Sequence, residues 1–364
     1  MGKIKILYVV STLGRSGPTN QLLNIIRNLD DKEFEPIVLT LSPEPQDSLK
    51  FKYDELSIEV KSLGLSRLEG LLYGKAKVKS IIKEIGPTII HSQGLRADSL
   101  LSKICLSVPW LMTSRNYPRE DYPMKFGYLK GSLMARTHFS AMKKCKYVVA
   151  CSKTIATALA EHHINAKAIQ NGIQSAISEY DNQNNLPDFE SPIFISVGSL
   201  IHRKNMSFLI DAFEHYATEN KGSLVILGDG PQKKSLIEQS KSGRVYLEGS
   251  VGNVHQYLGS ADYFISSSLS EGLPNTVLEG LSAGLPALLS DIPSHEEIAS
   301  EKPECTSIFK LSDGPVSLSR KMSSVKTALP LTYKENAKLL ADTVFSAGTM
   351  SSNYQRYYKE ILFK

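Results

Sequence analysis

Short apolar segments alternate with longer helical patterns along the chain, and this alternation constrains the fold more than any other feature. Strand–helix alternation favours parallel sheets with helices on both faces, because parallel strands need a crossover connection. The sequence therefore predicts an α/β fold. We expect helices at 20–29, 75–85, 153–161, 206–218 and 231–240, and strands at 4–11, 36–40, 88–92, 110–114, 147–151, 168–170, 193–197, 224–227, 245–248, 263–267, 287–290 and 307–310.

A chain of 364 residues is too long for one ordinary hydrophobic core, so two domains are expected. The polar, turn-rich stretch at 178–192 divides the strands into two sets. We predict two doubly wound Rossmann-like domains facing each other across a cleft. The expected boundaries are 1–180 for the first domain, 181–192 for the linker, 193–350 for the second domain and 351–364 for a C-terminal helix. An aromatic face on that helix is expected to pack back on the first domain.

Composition excludes several classes of protein. The apolar run at 6–10 is far too short to span a bilayer, and the four cysteines lack zinc-ligand spacing. The small number and the spacing of the cysteines fit a cytoplasmic location. Attachment to the inner face of the cytoplasmic membrane is a further option. Residues 1–185 hold 25 Lys and Arg against 17 Asp and Glu (net +8), whereas residues 186–364 hold 17 against 20 (net −3). The two halves are therefore expected to meet different partners, or the imbalance is a chance surface feature.

Ligands of doubly wound domains bind at the carboxyl ends of the strands, so the loops there are informative. The first, "STLGRSGPTNQL", contains Gly14 and Gly17 before a helix whose free N–H groups can bind an anion or a sugar hydroxyl. It lacks the G-x-G-x-x-G dinucleotide signature. Gly17 belongs either to a binding loop or to a plain strand–helix turn.

The loop "VGSLIHRKN" places Arg203 and Lys204 at a helix start, after Gly198. Cations there oppose the helix dipole, and a bound polyanion would offset that cost. The alternative is a solvated basic pair. Two further loops can lend backbone groups to a nucleotide, and they include Gly228 and Val251.

The stretch "SEGLPNTVLEGL" contains Glu271 and Glu279 around a predicted helix start. Asn275 is a good N-cap, and the N–H groups near Thr276 would point at a phosphate. Glu279 can accept bonds from two ribose hydroxyls, and Glu271 lies where a sugar would follow the phosphates. An acid, an anion site and a second acid match a nucleotide sugar.

These motifs together resemble the family-4 retaining glycosyltransferases of the GT-B fold. "EGLPNTVLE" matches the family pattern E-G-x-P-x-x-x-x-E, while "GSLIHRKN", "LGDGP" and "NGI" resemble its other loops. The resemblance implies that Glu279 binds the ribose, Glu271 the donor sugar and Lys204 the diphosphate. It also implies a nucleotide-diphosphate sugar donor, with UDP expected, and a glycan or lipid-linked acceptor in capsule or lipopolysaccharide assembly.

The chain departs from the family at two places. Many members have an Arg directly after the loop glycine, where this chain has Ser199, so Arg203 is expected to supply that charge. Many also have a His-x-His pattern, where this chain has His91 and then Gln93. His91 is either a substrate-binding residue or a strand-end histidine bonded to the backbone.

No Asp-x-Asp metal motif occurs in the sequence, so we expect a metal-independent enzyme without a cofactor. The cations and the helix N-terminus would then stabilise the leaving diphosphate. Arg203 and Lys204, with Glu271 at the donor sugar, are therefore the expected catalytic residues. Paired glutamates also occur in glycosidases, but a glycosidase needs no basic diphosphate loops. A nucleotide-sugar epimerase on the same fold and a non-catalytic nucleotide-sugar-binding protein stay open. A NAD-dependent oxidoreductase lacks its glycine signature here, and no nucleic-acid partner is expected.

The segment at 125–146 carries six Lys and Arg and no acid, interleaved with apolar residues. A helix over this segment would be apolar on one side and basic on the other, as at an anionic membrane surface. The alternative is a core-packed helix with a solvated basic face.

Overall fold

Two all-parallel sheets account for the strands in the described residues, which are 2–174, 186–325 and 331–363 of a computed structural model. One sheet has the order β3-β2-β1-β4-β5-β6-β7 and the other has the order β10-β9-β8-β11-β12-β13. The strands are β1 Ile4–Val10, β2 Phe34–Thr40, β3 Glu59–Ser62, β4 Ile89–Gln93, β5 Trp110–Ser114, β6 Tyr147–Ala150, β7 Ala166–Ala168, β8 Ile193–Val197, β9 Ser223–Leu227, β10 Val245–Gly249, β11 Tyr263–Ser266, β12 Ala287–Ser290 and β13 Thr306–Phe309.

Helices connect consecutive strands and cover the sheets, as parallel pairing requires. They are α1 Gly17–Arg27, α2 Lys50–Glu55, α3 Arg67–Leu72, α4 Gly74–Ile85, α5 Leu95–Leu101, α6 Pro118–Phe126, α7 Tyr128–Lys144, α8 Lys153–Ala160, α9 Met206–Ala217, α10 Lys233–Gln239, α11 Val254–Ser260, α12 Asn275–Ser282, α13 Pro293–Glu301, α14 Gly314–Ser324, α15 Leu331–Thr343 and α16 Ala347–Leu362.

The chain divides into two compact units, Met1–Gly172 with Ala347–Lys364 and Ile173–Ser346. Ile173 falls in the second unit because its backbone N–H donates to the carbonyl of Phe345 over 2.8 Å. The boundary between the two units therefore lies before residue 180, the expected end of the first domain. Helix α16 begins at Ala347 rather than at 351. Residues 181–185 of the expected linker lie outside the described residues.

The core of the first unit combines its apolar strands with one face of α16. Tyr354 and Tyr358 are fully buried there, and the Tyr358 hydroxyl lies 3.1 Å from that of Tyr8 on β1. The Gln355 side chain also donates to the backbone carbonyl of Asn28, which follows α1. These contacts join the C-terminal helix to the first strand and the first helix.

Some local features differ from the prediction. Strand β3 was not predicted, because its residues "EVKS" are half-buried or exposed and have no apolar run. Strand β7 lies two residues earlier than expected, at Ala166–Ala168. The helix expected at 125–146 is two helices, α6 and α7, separated by Gly127 with φ +80°, a value that a helix interior does not allow.

Both sheets reverse their strand order at one place, between β1 and β4 in the first and between β8 and β11 in the second. Loops diverge from such a point and leave a crevice at the carboxyl ends of the strands. The α/β fold class with two Rossmann-like units is confirmed.

Candidate functional site

The loops after β8 and β11 lie side by side, because the two strands are neighbours in the second sheet. Ser267 donates its hydroxyl to the backbone carbonyls of Lys204 and Asn205, over 3.2 and 2.9 Å. The backbone N–H of Leu269 donates to the carbonyl of Arg203 over 2.8 Å. The two loops therefore form one hydrogen-bonded unit, although they are distant in sequence.

Glu271 binds both cations of the neighbouring loop. One carboxylate oxygen, Oε1, lies 2.7 Å from the Lys204 ammonium, and the other, Oε2, lies 2.5 Å from the Arg203 guanidinium. The three side chains are only 8–15% exposed, so solvent screens the charges little. The structure thus brings together the three residues that the sequence analysis proposed as catalytic.

The ionisation of Glu271 follows from this arrangement. Burial by itself would raise the pKa of the carboxyl, but the charges and hydrogen bonds of Lys204 and Arg203 outweigh burial and hold the pKa at about 2. The carboxylate is therefore charged at any physiological pH. One negative and two positive charges leave this triad with a net charge of +1.

Glu279 is in a different environment, on the second turn of α12. It is half-buried, and its carboxylate accepts no hydrogen bond from the residues that the structure describes. Burial raises its pKa to about 7, although the charge of Lys204 acts in the opposite direction. A carboxylate that is desolvated without donors has the capacity to accept hydrogen bonds from a ligand.

The start of α12 differs from the prediction. Pro274 is the N-cap, and Asn275 is the first helical residue rather than the cap. The backbone N–H groups of Val277 and Leu278 both donate to the carbonyl of Pro274. The N–H of Thr276 has no acceptor among the described residues, so the helix start retains a donor for an anion.

Two glycines allow neighbouring loops to approach each other closely. Gly228 follows β9 with φ +142°, and a Cβ atom there would lie 2.0 Å from the carbonyl oxygen of Gly198. At Gly198 a Cβ would lie 3.0 Å from the Lys204 side chain. Val251 follows β10 by two residues at the same edge of the sheet and is half-buried. Gly198 and Gly228 therefore keep the two loops close together beside Lys204.

Three side chains that were not predicted from the sequence support the triad. The Ser268 hydroxyl donates to Glu271 over 3.0 Å, and Ser290 donates to the Ser268 carbonyl over 2.7 Å. His295 is fully buried, and its Nδ1 lies 3.0 Å from the Ser290 hydroxyl. Burial lowers the pKa of His295 to about 4, so the ring is neutral. Three consecutive serines at the end of a buried strand were the available sequence signal for Ser268.

The remaining predicted residues lie in the first unit. Gly17 is the first residue of α1, next to the N-cap Ser16. His91 is buried in the core, where Nδ1 lies 2.7 Å from the Tyr358 hydroxyl and Nε2 lies 2.8 Å from that of Thr113. Both ring nitrogens are thus occupied, which departs from the substrate-binding role expected for His91. Of the two alternatives, the strand-end histidine agrees better with the structure. Its hydrogen-bond partners, however, are side chains rather than backbone groups.

Within 2–174, 186–325 and 331–363, no three His, Cys, Asp or Glu side chains are grouped so that they could hold a metal ion. None of the helices in these ranges has the length and hydropathy needed to cross a bilayer.

Two parallel-sheet units with a cationic loop and a helix N-terminus at a switch point agree with the GT-B class of glycosyltransferases, to which the similar solved structures belong. Family models agree with this assignment: "Glycosyltransferase Family 4" matches residues 15–176, and "Glycosyl transferases group 1" matches residues 191–325. The chain belongs to the family-4 glycosyltransferases and is a glycosyltransferase.

Individual proteins are similar over most of the chain. The O-antigen biosynthesis glycosyltransferase WclY of Escherichia coli is 26% identical over 98% of this chain and 99% of its own. The capsular polysaccharide biosynthesis glycosyltransferase CapH of Staphylococcus aureus is 25% identical over 81% of this chain and 83% of its own. The structure of Anabaena Alr3699/HepE in complex with UDP-glucose superimposes with a TM-score of 0.79 at 19% identity, covering 98% of this chain and 99% of the other.

Proposed function

We propose that the protein transfers a hexose or similar sugar from a nucleotide-diphosphate sugar to a glycan or lipid-linked acceptor, with retention of anomeric configuration. The observation that carries this proposal is the buried triad of Arg203, Lys204 and Glu271 beside the N-terminus of α12. Its net positive charge suits a diphosphate. We propose UDP as the nucleotide, since the similar Anabaena structure holds UDP-glucose.

Lys204 is proposed to bind the diphosphate, with the N–H of Thr276 as a second donor. A nucleoside diphosphate gains negative charge as it leaves the sugar. Preorganised cations and helix dipoles stabilise such charge strongly in a site shielded from water. This arrangement performs the task that a metal ion performs in other transferases, and we propose that the reaction needs no metal.

Glu279 is proposed to bind the ribose, and Glu271 the donor sugar. The half-buried carboxylate of Glu279 has unused acceptor capacity, which matches the two neighbouring hydroxyls of a ribose. Glu271 stays ionised because of its two cations, and it can accept bonds from sugar hydroxyls while it fixes Lys204 in place. Backbone groups of Gly198, Gly228 and Val251 are proposed to line the nucleotide, and Gly17 to line the substrate in the first unit.

Surface-polysaccharide assembly is the proposed role in the cell. Two similar proteins, WclY and CapH, carry O-antigen and capsular polysaccharide biosynthesis in their names. Acceptors in such reactions are commonly lipid-linked, so a membrane surface is the expected place of action.

Contact of α7 with an anionic membrane is part of this proposal. Tyr128, Leu129 and Leu133 on α7 are 65–85% exposed, and the basic residues Lys130 and Arg136 are exposed on the same helix. The buried face of α7 consists instead of Gly131, Ala135, His138, Ala141 and Met142. Apolar and basic side chains are thus exposed together, rather than on opposite sides as expected, and this combination suits a lipid headgroup region.

Thermal unfolding in the presence of UDP, GDP, ADP and their sugars tests the proposed donor. A ligand at 100 times its Kd adds about 2.7 kcal/mol to the stability of the protein. We expect one nucleotide and its sugar to raise the melting temperature, and no response to any of them would contradict the proposal. Turnover that requires an acceptor then separates a transferase from an epimerase, and any turnover separates both from a binding protein.

A further inference from the structure

A cavity of about 480 Å³ lies at the switch point of the first sheet, where β1, β4 and β5 end. Its walls include Thr12, Gln93, Thr113 and Arg115 together with the residues that begin α1. The triad that binds the donor in our proposal belongs to the second unit, so this cavity is a separate place in the chain.

Arg115 is the unusual residue of the cavity, because its charge has no acidic partner. Nε donates to the Gln93 amide oxygen over 3.1 Å, and Nη1 donates to the Asn171 amide oxygen over 2.8 Å. Within the described residues, no carboxylate lies within 4.0 Å of the guanidinium. Two neutral amides hold the side chain in position but leave its charge uncompensated.

The third nitrogen, Nη2, is shielded from solvent and has no hydrogen-bond acceptor in the part of the chain that the structure describes. A shielded donor without a partner costs free energy, and more so when it is charged. The nearby His91 does not change this balance, since burial and the charge of Arg115 hold its pKa well below the usual value and keep the ring neutral. Arg115 lines the cavity, so an anion bound there would compensate the charge of its guanidinium.

The charges around the cavity indicate what kind of anion fits. The Arg, Lys, Asp and Glu side chains in its walls are Arg15, Arg115 and Asp47, which leave a net charge of +1. The N-terminus of α1 faces the same space and adds a partial positive charge. Gln93 fixes this geometry, because its amide nitrogen donates to the Pro18 carbonyl in α1 while its oxygen accepts from Arg115. A net charge of +1 is matched by one carboxylate, which is an anionic group that a sugar can carry.

We propose that Arg115 recognises the carboxylate of an acidic sugar, and that the acceptor of this enzyme carries such a sugar. This inference rests on the proposed function, because it takes the ligand of the first unit to be the acceptor. It also gives Gln93 a role. This residue occupies the place of the second histidine of the family pattern, and its amide holds Arg115 in position.

Binding of methyl glucuronide and methyl glucoside to the UDP-saturated protein tests the proposal, measured by ligand-observed NMR. The two probes differ only in the carboxylate. We expect the wild type to bind the glucuronide at least tenfold more tightly, and Arg115→Gln to lose this difference while its affinity for UDP stays unchanged. Arg119→Gln, which alters an exposed cation outside the cavity, is the matched control and should keep the difference.

Several outcomes would overturn the proposal. Equal binding of both probes by the wild type would show that the cavity does not read a carboxylate, and stronger binding of inorganic phosphate than of the glucuronide would assign it to another anion. A loss of UDP affinity in Arg115→Gln would assign the arginine to the donor. If Arg115→Gln does not fold, Arg115→Lys serves instead, because lysine keeps the charge but cannot bond both amides and a ligand; unchanged discrimination in that variant would contradict the role. Failure of the wild type to bind UDP would count against the proposed function, not against this inference.

Discussion

The ammonium of Lys204 lies 2.7 Å from one carboxylate oxygen of Glu271, while Arg203 holds the other oxygen. The pair joins the loops after two neighbouring strands, and it combines a structural role with the proposed catalytic one. A buried ion pair adds little stability by itself, but removal of one partner leaves an uncompensated charge. This relationship decides how variants at the site should be interpreted.

Replacement of Glu271 by Gln should destabilise the second unit as well as slow turnover. The change leaves Lys204 and Arg203 largely buried without a counter-charge, which costs on the order of 3–5 kcal/mol. Urea unfolding at several pH values checks this. Because the pKa of Glu271 is lowered to about 2, its stabilising effect is present above the ordinary carboxyl pKa and is lost as pH falls toward 2. The wild type and the variant should therefore converge in stability between about pH 4.5 and pH 2. A constant difference over this range would contradict the assigned ionisation.

Replacement of Glu279 by Gln should change the pH dependence of nucleotide binding. The pKa of Glu279 is raised to about 7, so the carboxylate that accepts ribose hydroxyls forms only as pH rises through that value. Hydrogen bonds to a charged group contribute about 1.5–3 kcal/mol, so the variant should bind UDP at least tenfold more weakly at pH 8. Calorimetric titration from pH 6 to 8 is the measurement.

The phosphates of UDP also titrate between pH 6 and 8, and this changes the affinity independently of Glu279. The Glu279→Gln variant is the control for that contribution. Affinity that rises with pH more steeply in the wild type than in Glu279→Gln supports the role. Parallel pH profiles would remove Glu279 from the ribose site. The free protein should show the opposite trend, because a raised carboxyl pKa makes the folded state lose stability as pH rises from about 4.5 through 7.

Gly228→Ala should disrupt the loops around Lys204 more than its backbone conformation alone explains. The new Cβ would lie 2.0 Å from the Gly198 carbonyl oxygen, so the two loops must separate. Gly243→Ala is the matched control, because Gly243 also has a positive φ but open space around it. We expect the free energy of unfolding to fall by about 1 kcal/mol in the control and by about 2 kcal/mol or more in Gly228→Ala. Only Gly228→Ala should bind UDP more weakly. Equal effects of both changes would show that the close approach is unimportant.

Membrane contact predicts that the protein sediments with anionic vesicles at low salt and is released by high salt. Substitution of Tyr128, Leu129 and Leu133 by Ser should abolish sedimentation, and substitution of Lys143, Lys144 and Lys146 by Gln should weaken it by about 1 kcal/mol per charge. Leu331→Ser removes an equally exposed leucine from the second unit and should have no effect. A wild type that stays in the supernatant at low salt would contradict the proposal.

The sequence predicted the fold well because buried parallel strands are apolar along most of their length, as in β8 and β9. It failed where local pattern and tertiary environment disagree. The polar strand β3 depends on pairing with β2 rather than on its own residues. Asn275 has the chemistry of an N-cap, but Pro274 occupies that position because its extended backbone ends the preceding loop.

The candidate site shows the same division. The spacing of the motifs indicated that one candidate site contains Arg203, Lys204, Glu271 and Glu279. The opposite pKa shifts of Glu271 and Glu279 could not be predicted, since the pKa of each glutamate depends on neighbours that are distant in the chain. His91 was misplaced for a similar reason: the tyrosines that bury it come from α16, at the other end of the sequence.

The most direct test of the account is the release of nucleoside diphosphate as the sugar passes to an added glycan acceptor, measured in excess EDTA. The donor is the nucleotide sugar that stabilises the protein most. We predict that the wild type turns over, that Lys204→Gln is slower by about 10²–10³ in kcat, and that Lys241→Gln, an exposed lysine before β10, equals the wild type. Full activity of Lys204→Gln, or release that stops in EDTA and returns with Mg²⁺, would contradict the account of how the leaving group is stabilised.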